Sequence, residues 1–337
     1  MPPNFLSSSS VSEALYTLAR THQITLEALE YALQKIGIVP NSQAWRNFLD
    51  KILLLLGTAL LLAGVIFFFA YNWADLSRFV KFGLLQTAIL SMTIFAAWRG
   101  LDGLSGQAAL LAAAVLVGAL LAVYGQTYQT GADDFSLFLM WAILIIPWVL
   151  FGFFAPLWLL LLVLFNLSLI LYWKQVINPI HDIPALFLLL FTLNGLALVA
   201  WEYAHKRGVA WLQNQWFGQL IFCVALTIIV IPTWIAILDV VDYRQQYSLF
   251  TVAVVLYIAT TALSFFYYRY QRRDLLLLAA SFFGILVILA TFVSQLLPMR
   301  NAISWLILAL VVIGLASGAT KLLLNIAQAW RQEDNNG

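Results

Sequence analysis

The sequence predicts an all-α polytopic membrane protein, a transmembrane helical bundle of about ten spans behind a short N-terminal cytoplasmic helical segment. Three observations carry this. Hydrophobic residues make up 63% of the 337-residue chain and charged residues only 9%, against roughly 45–50% and about 25% in ordinary globular domains. From Ile52 onward, apolar runs long enough to cross a ~30 Å hydrocarbon core follow one another. Lys and Arg fall unequally on alternate connections between those runs, as expected of a chain threaded through a membrane.

The net charge of +2 is spread thinly, so no basic patch for nucleic acid stands out. Cys223 is the only cysteine, which excludes an intramolecular disulfide. The first residues lack the basic, apolar, small-residue order of a signal peptide, and the first span is expected to serve as an uncleaved signal.

Taken in order, residues 1–51 form the soluble piece. Ser10-Val11-Ser12-Glu13 has capping-box spacing, with Val11, Leu15 and Leu18 following at helical intervals. A second helix is expected from Thr25, with Leu26, Leu29, Leu33 and Ile36 on one face and Gly37 as its stop. Pro40-Asn41-Ser42 breaks the chain and starts a third helix that runs through Trp45 and Phe48 into the bilayer. Arg20 and Lys35 are the only basic residues before Arg46, which argues against a DNA-reading helix pair.

Spans are expected near 52–71, 79–98, 107–125, 135–151, 154–173, 184–201, 217–238, 247–268, 274–293 and 302–320. No charge interrupts the stretch from Phe135 to Trp173, yet at ~1.5 Å per residue it is too long for one crossing. Gly152 and Pro156 supply the hairpin break. Twelve of the 17 basic residues then share the N-terminal side: Arg20, Lys35, Arg46, Lys51, Arg99, Lys206, Arg207, Arg269, Arg272, Arg273, Lys321 and Arg331. The rest, Arg78, Lys81, Lys174, Arg244 and Arg300, lie opposite, so both termini are expected in the cytoplasm. Tyr71, Trp73, Tyr172 and Trp173 at outer ends, and Trp98, Trp201, Tyr203, Tyr267, Tyr268 and Tyr270 at inner ends, suit the headgroup zone. Past Thr320 an amphipathic stretch, 321–337, ends in a polar tail expected to fray.

Lipid tails are as apolar as leucine, so spans should associate through small residues. Ala114, Gly118 and Ala122 in the third span, and Gly314 and Gly318 with Ser317 in the tenth, read as contact faces. Pro147 and Pro232 lie inside spans and predict local kinks. Gln86, Asn166 and Asn194 are polar positions within spans, read either as interhelical hydrogen-bond partners or as the lining of a cavity.

The densest polar stretch is Tyr124–Phe135, Y-G-Q-T-Y-Q-T-G-A-D-D-F, between two apolar runs. With Asn72 and Trp73 at the end of the first span, it gives an outer-face candidate site of Asn72, Trp73, Tyr124, Gln126, Tyr128, Gln129, Asp133 and Asp134. Carboxylates there suit a cation or a basic partner group, and the amides supply neutral donors and acceptors. The competing reading is local: Gln126 and Gln129 satisfy backbone at a helix end, while Asp133-Asp134 caps the next helix.

Enzyme signatures are missing, with no G-x-S-x-G, H-E-x-x-H or phosphate-binding glycine loop. The expected topology separates His22, His181 and His205, and no metal or cofactor is expected. No ionisable residue falls mid-span, and Lys81 and Asp239 near span ends are expected to reach water, which argues against an ion-driven carrier.

Gly57–Trp73 (G-T-A-L-L-L-A-G-V-I-F-F-F-A-Y-N-W), Tyr124–Asp133, Trp141 and Pro147-Trp148 resemble a bacterial predicted-membrane-protein family catalogued as domain of unknown function 2157. The resemblance covers the first half of the chain. It implies an integral protein of the bacterial inner membrane and a genetic neighbour that is itself multispan, with a G-D-Y-x-x-L-x-Y signature. It implies no activity and no catalytic residues. The leading expectation is a non-enzymatic membrane protein whose outer-face cluster binds a ligand or membrane partner. The alternative is a transporter of a neutral or lipid-like solute along Gln86, Gln126, Asn166 and Asn194.

Overall fold

The computed structural model describes residues 15–21, 24–35, 39, 42–71, 76–129, 131, 133–177, 183–238, 247–298 and 301–336. Ten helices among them are long and apolar enough to cross a membrane, and no strand occurs among the described residues. The chain divides into two compact units, the first ending at Leu116 and the second starting at Val117.

In the first unit residues 15–20 are helical, and α1 (Leu26–Lys35) follows, burying Leu29 and Leu33. Thr25 caps it, its Oγ1 accepting the Ala28 N–H at 3.2 Å. Ser10–Glu13, Ile36, Gly37, Pro40 and Asn41 lie outside the described residues. Helix α2 (Ser42–Tyr71) joins the expected lead-in and first span into one thirty-residue helix. Helix α3 (Arg78–Arg99) starts at Ser77, whose hydroxyl accepts the Val80 N–H, and ends at Gly100. Helix α4 (Leu104–Tyr128) begins in this unit and continues into the second. Gly106 lets its first turn lie against the Gly100 carbonyl, which an added Cβ would meet at 2.0 Å.

In the second unit α5 (Asp134–Gly152) and α6 (Ala155–Tyr172) form a tight hairpin. Phe153 turns the chain in the left-handed region at φ 43°, and Pro156 sits in the first turn of α6, where its missing N–H costs nothing. One π turn, Trp173–Ile177, extends α6. Helix α7 (Ile183–Lys206), a 3-10 turn (Ala210–Leu212) and α8 (Gln215–Leu238) follow. Helix α9 (Tyr247–Phe266) ends in a second π turn, Tyr267–Gln271, before α10 (Leu275–Leu296) and α11 (Ala302–Asn336).

The unit is organised on α8, which packs against α7, α9 and α10. Phe222, Leu226 and Ile229 of α8 meet Ala253 and Tyr257 of α9, Leu277 and Leu278 of α10, and Ile326 of α11. Without a hydrophobic force between helices in lipid, this shape matching is the main cohesive term. Pro147 and Pro232 lie within the continuous helices α5 and α8.

Several expectations are corrected. Gly314, Ser317 and Gly318 make no close helix contact among the described residues: they are exposed, and none of those residues lies within 4 Å of a Cβ built on either glycine. A small-residue pair permits close approach but does not compel it, and α11 instead buries Ser304 and Ile326. Where a polar tail was expected to leave the helix, α11 continues to Asn336, with Glu333 paired to Arg273 at 2.6 Å. Lys81 is buried, 7% exposed, rather than extended into water. Trp173, Trp201 and Tyr268 face inward rather than toward headgroups, whereas Tyr71, Trp98, Tyr203 and Tyr270 are exposed. Asp239 lies outside the described residues.

Candidate functional site

The end of the second unit that carries Asp134 is built from the last turns of α4, the start of α5 and the π turn after α6. Gly118 sets the height of α4: a Cβ there would sit 2.5 Å from the Trp141 ring, so only glycine admits the indole against the helix backbone. Ala114, on the same small-residue face, is fully buried. Helix α4 then delivers Tyr124 and Tyr128, rings 4.9 Å apart and both exposed. The chain leaves the helix through Gln129 at φ 44° and Gly131 at φ 61°, a left-handed turn that glycine adopts without strain.

Gln126, Gln129, Asp133 and Asp134 are all exposed on this segment. Asp133 holds the N-cap position of α5 yet makes no side-chain capping bond. Its carbonyl instead accepts from the Ser136 hydroxyl at 2.7 Å. The groups that a cap would satisfy are met from elsewhere. Gln175, in the π turn, accepts the Phe135 N–H on its Oε1 at 3.2 Å and donates Nε2 to Asp134 Oδ2 at 3.0 Å. The hydroxyl of buried Ser168 donates to the Phe135 carbonyl at 3.1 Å, and the Phe135 and Tyr172 rings meet edge to face. Asp134 is therefore tied to the bundle and Asp133 is not capping it. Asn72 and Trp73 lie outside the described residues.

The amides within spans separate. Asn166 and Asn194 exchange hydrogen bonds, Asn194 Nδ2 to Asn166 Oδ1 at 2.6 Å and Asn166 Nδ2 to Asn194 Oδ1 at 3.3 Å. Each Nδ2 also donates to the carbonyl one turn back, of Leu162 and Leu190. The pair holds α6 to α7. Gln86 belongs to the first unit, where it is exposed on α3.

Sequence reading missed a charged cluster at the other end of the second unit. Glu202 of α7 accepts from the Tyr267 hydroxyl at 2.8 Å and pairs with Arg272 Nη1. The two charged side chains are 14% and 9% exposed, so this is a buried pair. The Arg272 guanidinium lies 4.5 Å from the Trp201 ring centroid, while Nε and Nη2 are buried without an acceptor among the described residues. Lys206 sits over Tyr267, and Trp201 stacks on His205, whose Nδ1 is 3.0 Å from the Leu212 carbonyl oxygen. Nearby, Asp274 caps α10 through the Leu276 and Leu277 N–H groups and accepts from Gln219 at 3.0 Å. The signal available in the sequence was that Glu202 and Arg272 fall just past span ends near aromatic residues, and that Asp274 opens the ninth expected span.

The stretch that includes α1 to α5 and the polar segment has a recognisable kin. Residues 16–158 match the family described as predicted membrane protein (DUF2157). The DUF2157 match takes in Gly57–Tyr71, Tyr124–Gln129, Trp141 and Pro147 and stops in the first turn of α6. The Asn166–Asn194 pair and the Glu202–Arg272 pair lie beyond it. No curated protein and no solved structure matches the chain.

Proposed function

We propose that this is a non-enzymatic protein of the bacterial inner membrane, both termini in the cytoplasm, that docks a second membrane protein on Tyr124–Asp134. One observation carries the reading. Gln175 rather than Asp133 satisfies the start of α5, which leaves the exposed Asp133 carboxylate without a capping role. Tyr124, Gln126, Tyr128, Gln129 and Asp133 are all exposed on this segment, aromatic, amide and carboxylate groups in a mixture suited to a specific contact. The placement of twelve of 17 basic residues on the N-terminal side supports an outward-facing segment. The carrier alternative loses support because Asn166 and Asn194 are occupied with each other rather than lining a path.

The test uses Cys223→Ser as background. Asp133→Cys should react with a membrane-impermeant thiol reagent added to cells whose outer membrane has been opened, and Arg207→Cys only after the inner membrane is also opened. A photo-crosslinking residue at Gln126 or Tyr128 should capture one discrete membrane protein, and Gln126→Ala with Asp133→Ala should abolish capture without lowering the inserted amount. Reversed labelling, or capture unchanged by the substitutions, would overturn the reading.

A further inference from the structure

The second unit contains a cavity of about 320 Å³ at the end opposite Tyr124–Asp134, between the first half of α6, the last turns of α7, the 3-10 turn and the start of α8. Trp158, Leu162, Phe165, Ala197, Trp201 and Phe217 are among its walls, which carry no charged side chain. The volume lies at the small end of the ~300–1,000 Å³ range of ligand sites, room for a length of hydrocarbon chain. The lining is apolar: the indole N–H groups of Trp158 and Trp201 are buried away from the cavity surface, with no acceptor among the described residues. Trp201 itself is 3% exposed.

The cavity also lies at the basic end of the helices. Lys206 and Arg207, both exposed, follow Ala204 of its wall on the last turn of α7, and Arg269, Arg272 and Arg273 end the neighbouring π turn and connection. Glu202 and Asp274 are the acidic residues beside them, and both already have partners. Such an end attracts anionic headgroups of the membrane surface.

We propose that this cavity binds the acyl chain of an anionic phospholipid, with the phosphate at Lys206 and Arg207. The site takes a component of the bilayer itself, so it stands or falls apart from whatever docks on Tyr124–Asp134.

The full chain is reconstituted in phosphatidylethanolamine vesicles containing a trace of phosphatidylglycerol with a diazirine on its acyl chain. After irradiation the label is mapped by peptide mass spectrometry. The expected result is label on the α6–α8 wall peptides that is lost in Ala200→Leu and Ala197→Phe, which fill the cavity, while label elsewhere on the chain is unchanged. The same diazirine chain carried on phosphatidylcholine should label the wall more weakly. Wall label that persists in inserted, helical variants overturns the site, and equal labelling from phosphatidylcholine overturns the anionic headgroup. If neither variant inserts, the wild-type wall label should be competed by plain phosphatidylglycerol and not by phosphatidylcholine. Absence of that competition overturns the proposal equally.

Discussion

Trp201 of α7 lies so close against Gly218 of α8 that a Cβ on the glycine would stand 2.1 Å from the indole. The contact fixes how near the two helices approach and holds the ring under the Arg272 guanidinium. Gly218→Ala must displace the ring. It should lower stability by about 1–3 kcal/mol as an overpacked core does, despite the ~1 kcal/mol that alanine gains over glycine in a helix. Thermal loss of the helical circular dichroism signal in detergent reads this directly. A variant as stable as wild type would show that the interface yields freely.

Gly314→Ala and Gly318→Ala make the matching control. Open space surrounds both positions, so these substitutions should leave the melting temperature of the monomer unchanged or slightly raised. A large drop would mean that the G-x-x-x-G face packs against something after all.

The Asn166–Asn194 exchange can be weighed by a double-mutant cycle. Asn166→Leu and Asn194→Leu each strand the other amide, and the coupling should be about 0.6–1.7 kcal/mol, the span measured for polar pairs inside helical membrane proteins. The double variant should lose less than the two single losses added together. Strict additivity in steric-trapping or denaturation measurements would contradict the reciprocal bonds.

The Glu202–Arg272 pair should respond more strongly. Glu202→Gln removes the charge facing a guanidinium that is already short of acceptors, and breaking one side of a buried pair costs about 3–5 kcal/mol. Arg272→Met combined with Glu202→Leu should recover much of that loss, because neither charge is then left alone. The yield of folded protein by size-exclusion chromatography ranks the two variants against wild type.

Gln175→Ala tests the clamp at the start of α5. It frees the Phe135 N–H and the Asp134 carboxylate, each such bond contributing about 0.5–1.5 kcal/mol. Hydrogen exchange at Phe135 should quicken, while Asp133→Ala should leave it unaltered because Asp133 makes no capping bond.

The parts of the fold that were legible in the sequence are those written in local signals. Gly152 and Pro156 marked the break in a run without charges, and the chain turns at Phe153 between them. Run length gave ten membrane-length helices because the bilayer imposes a minimum on every crossing. Partnerships across helices were not legible. Gln175 and Asp134 stand 41 residues apart, and Arg272 and Glu202 stand 70 apart, so their meeting depends on helix rotation that apolar runs do not encode. The G-x-x-x-G pair misled for the same reason: a permissive surface does not name its neighbour. Buried Trp201 was indistinguishable from an interfacial tryptophan because both lie at a span end.

The two π turns carry one further implication. A π turn holds one residue more than the regular helix it interrupts, and an α-helix advances about 100° per residue. Rewinding Tyr267–Gln271 as a regular helix with every residue kept would therefore turn Arg272 about the axis, away from Glu202. The same rewinding in Trp173–Ile177 would carry Gln175 past Asp134. In both places the irregular coil is what aims the side chain, and a tidier chain would miss its mark.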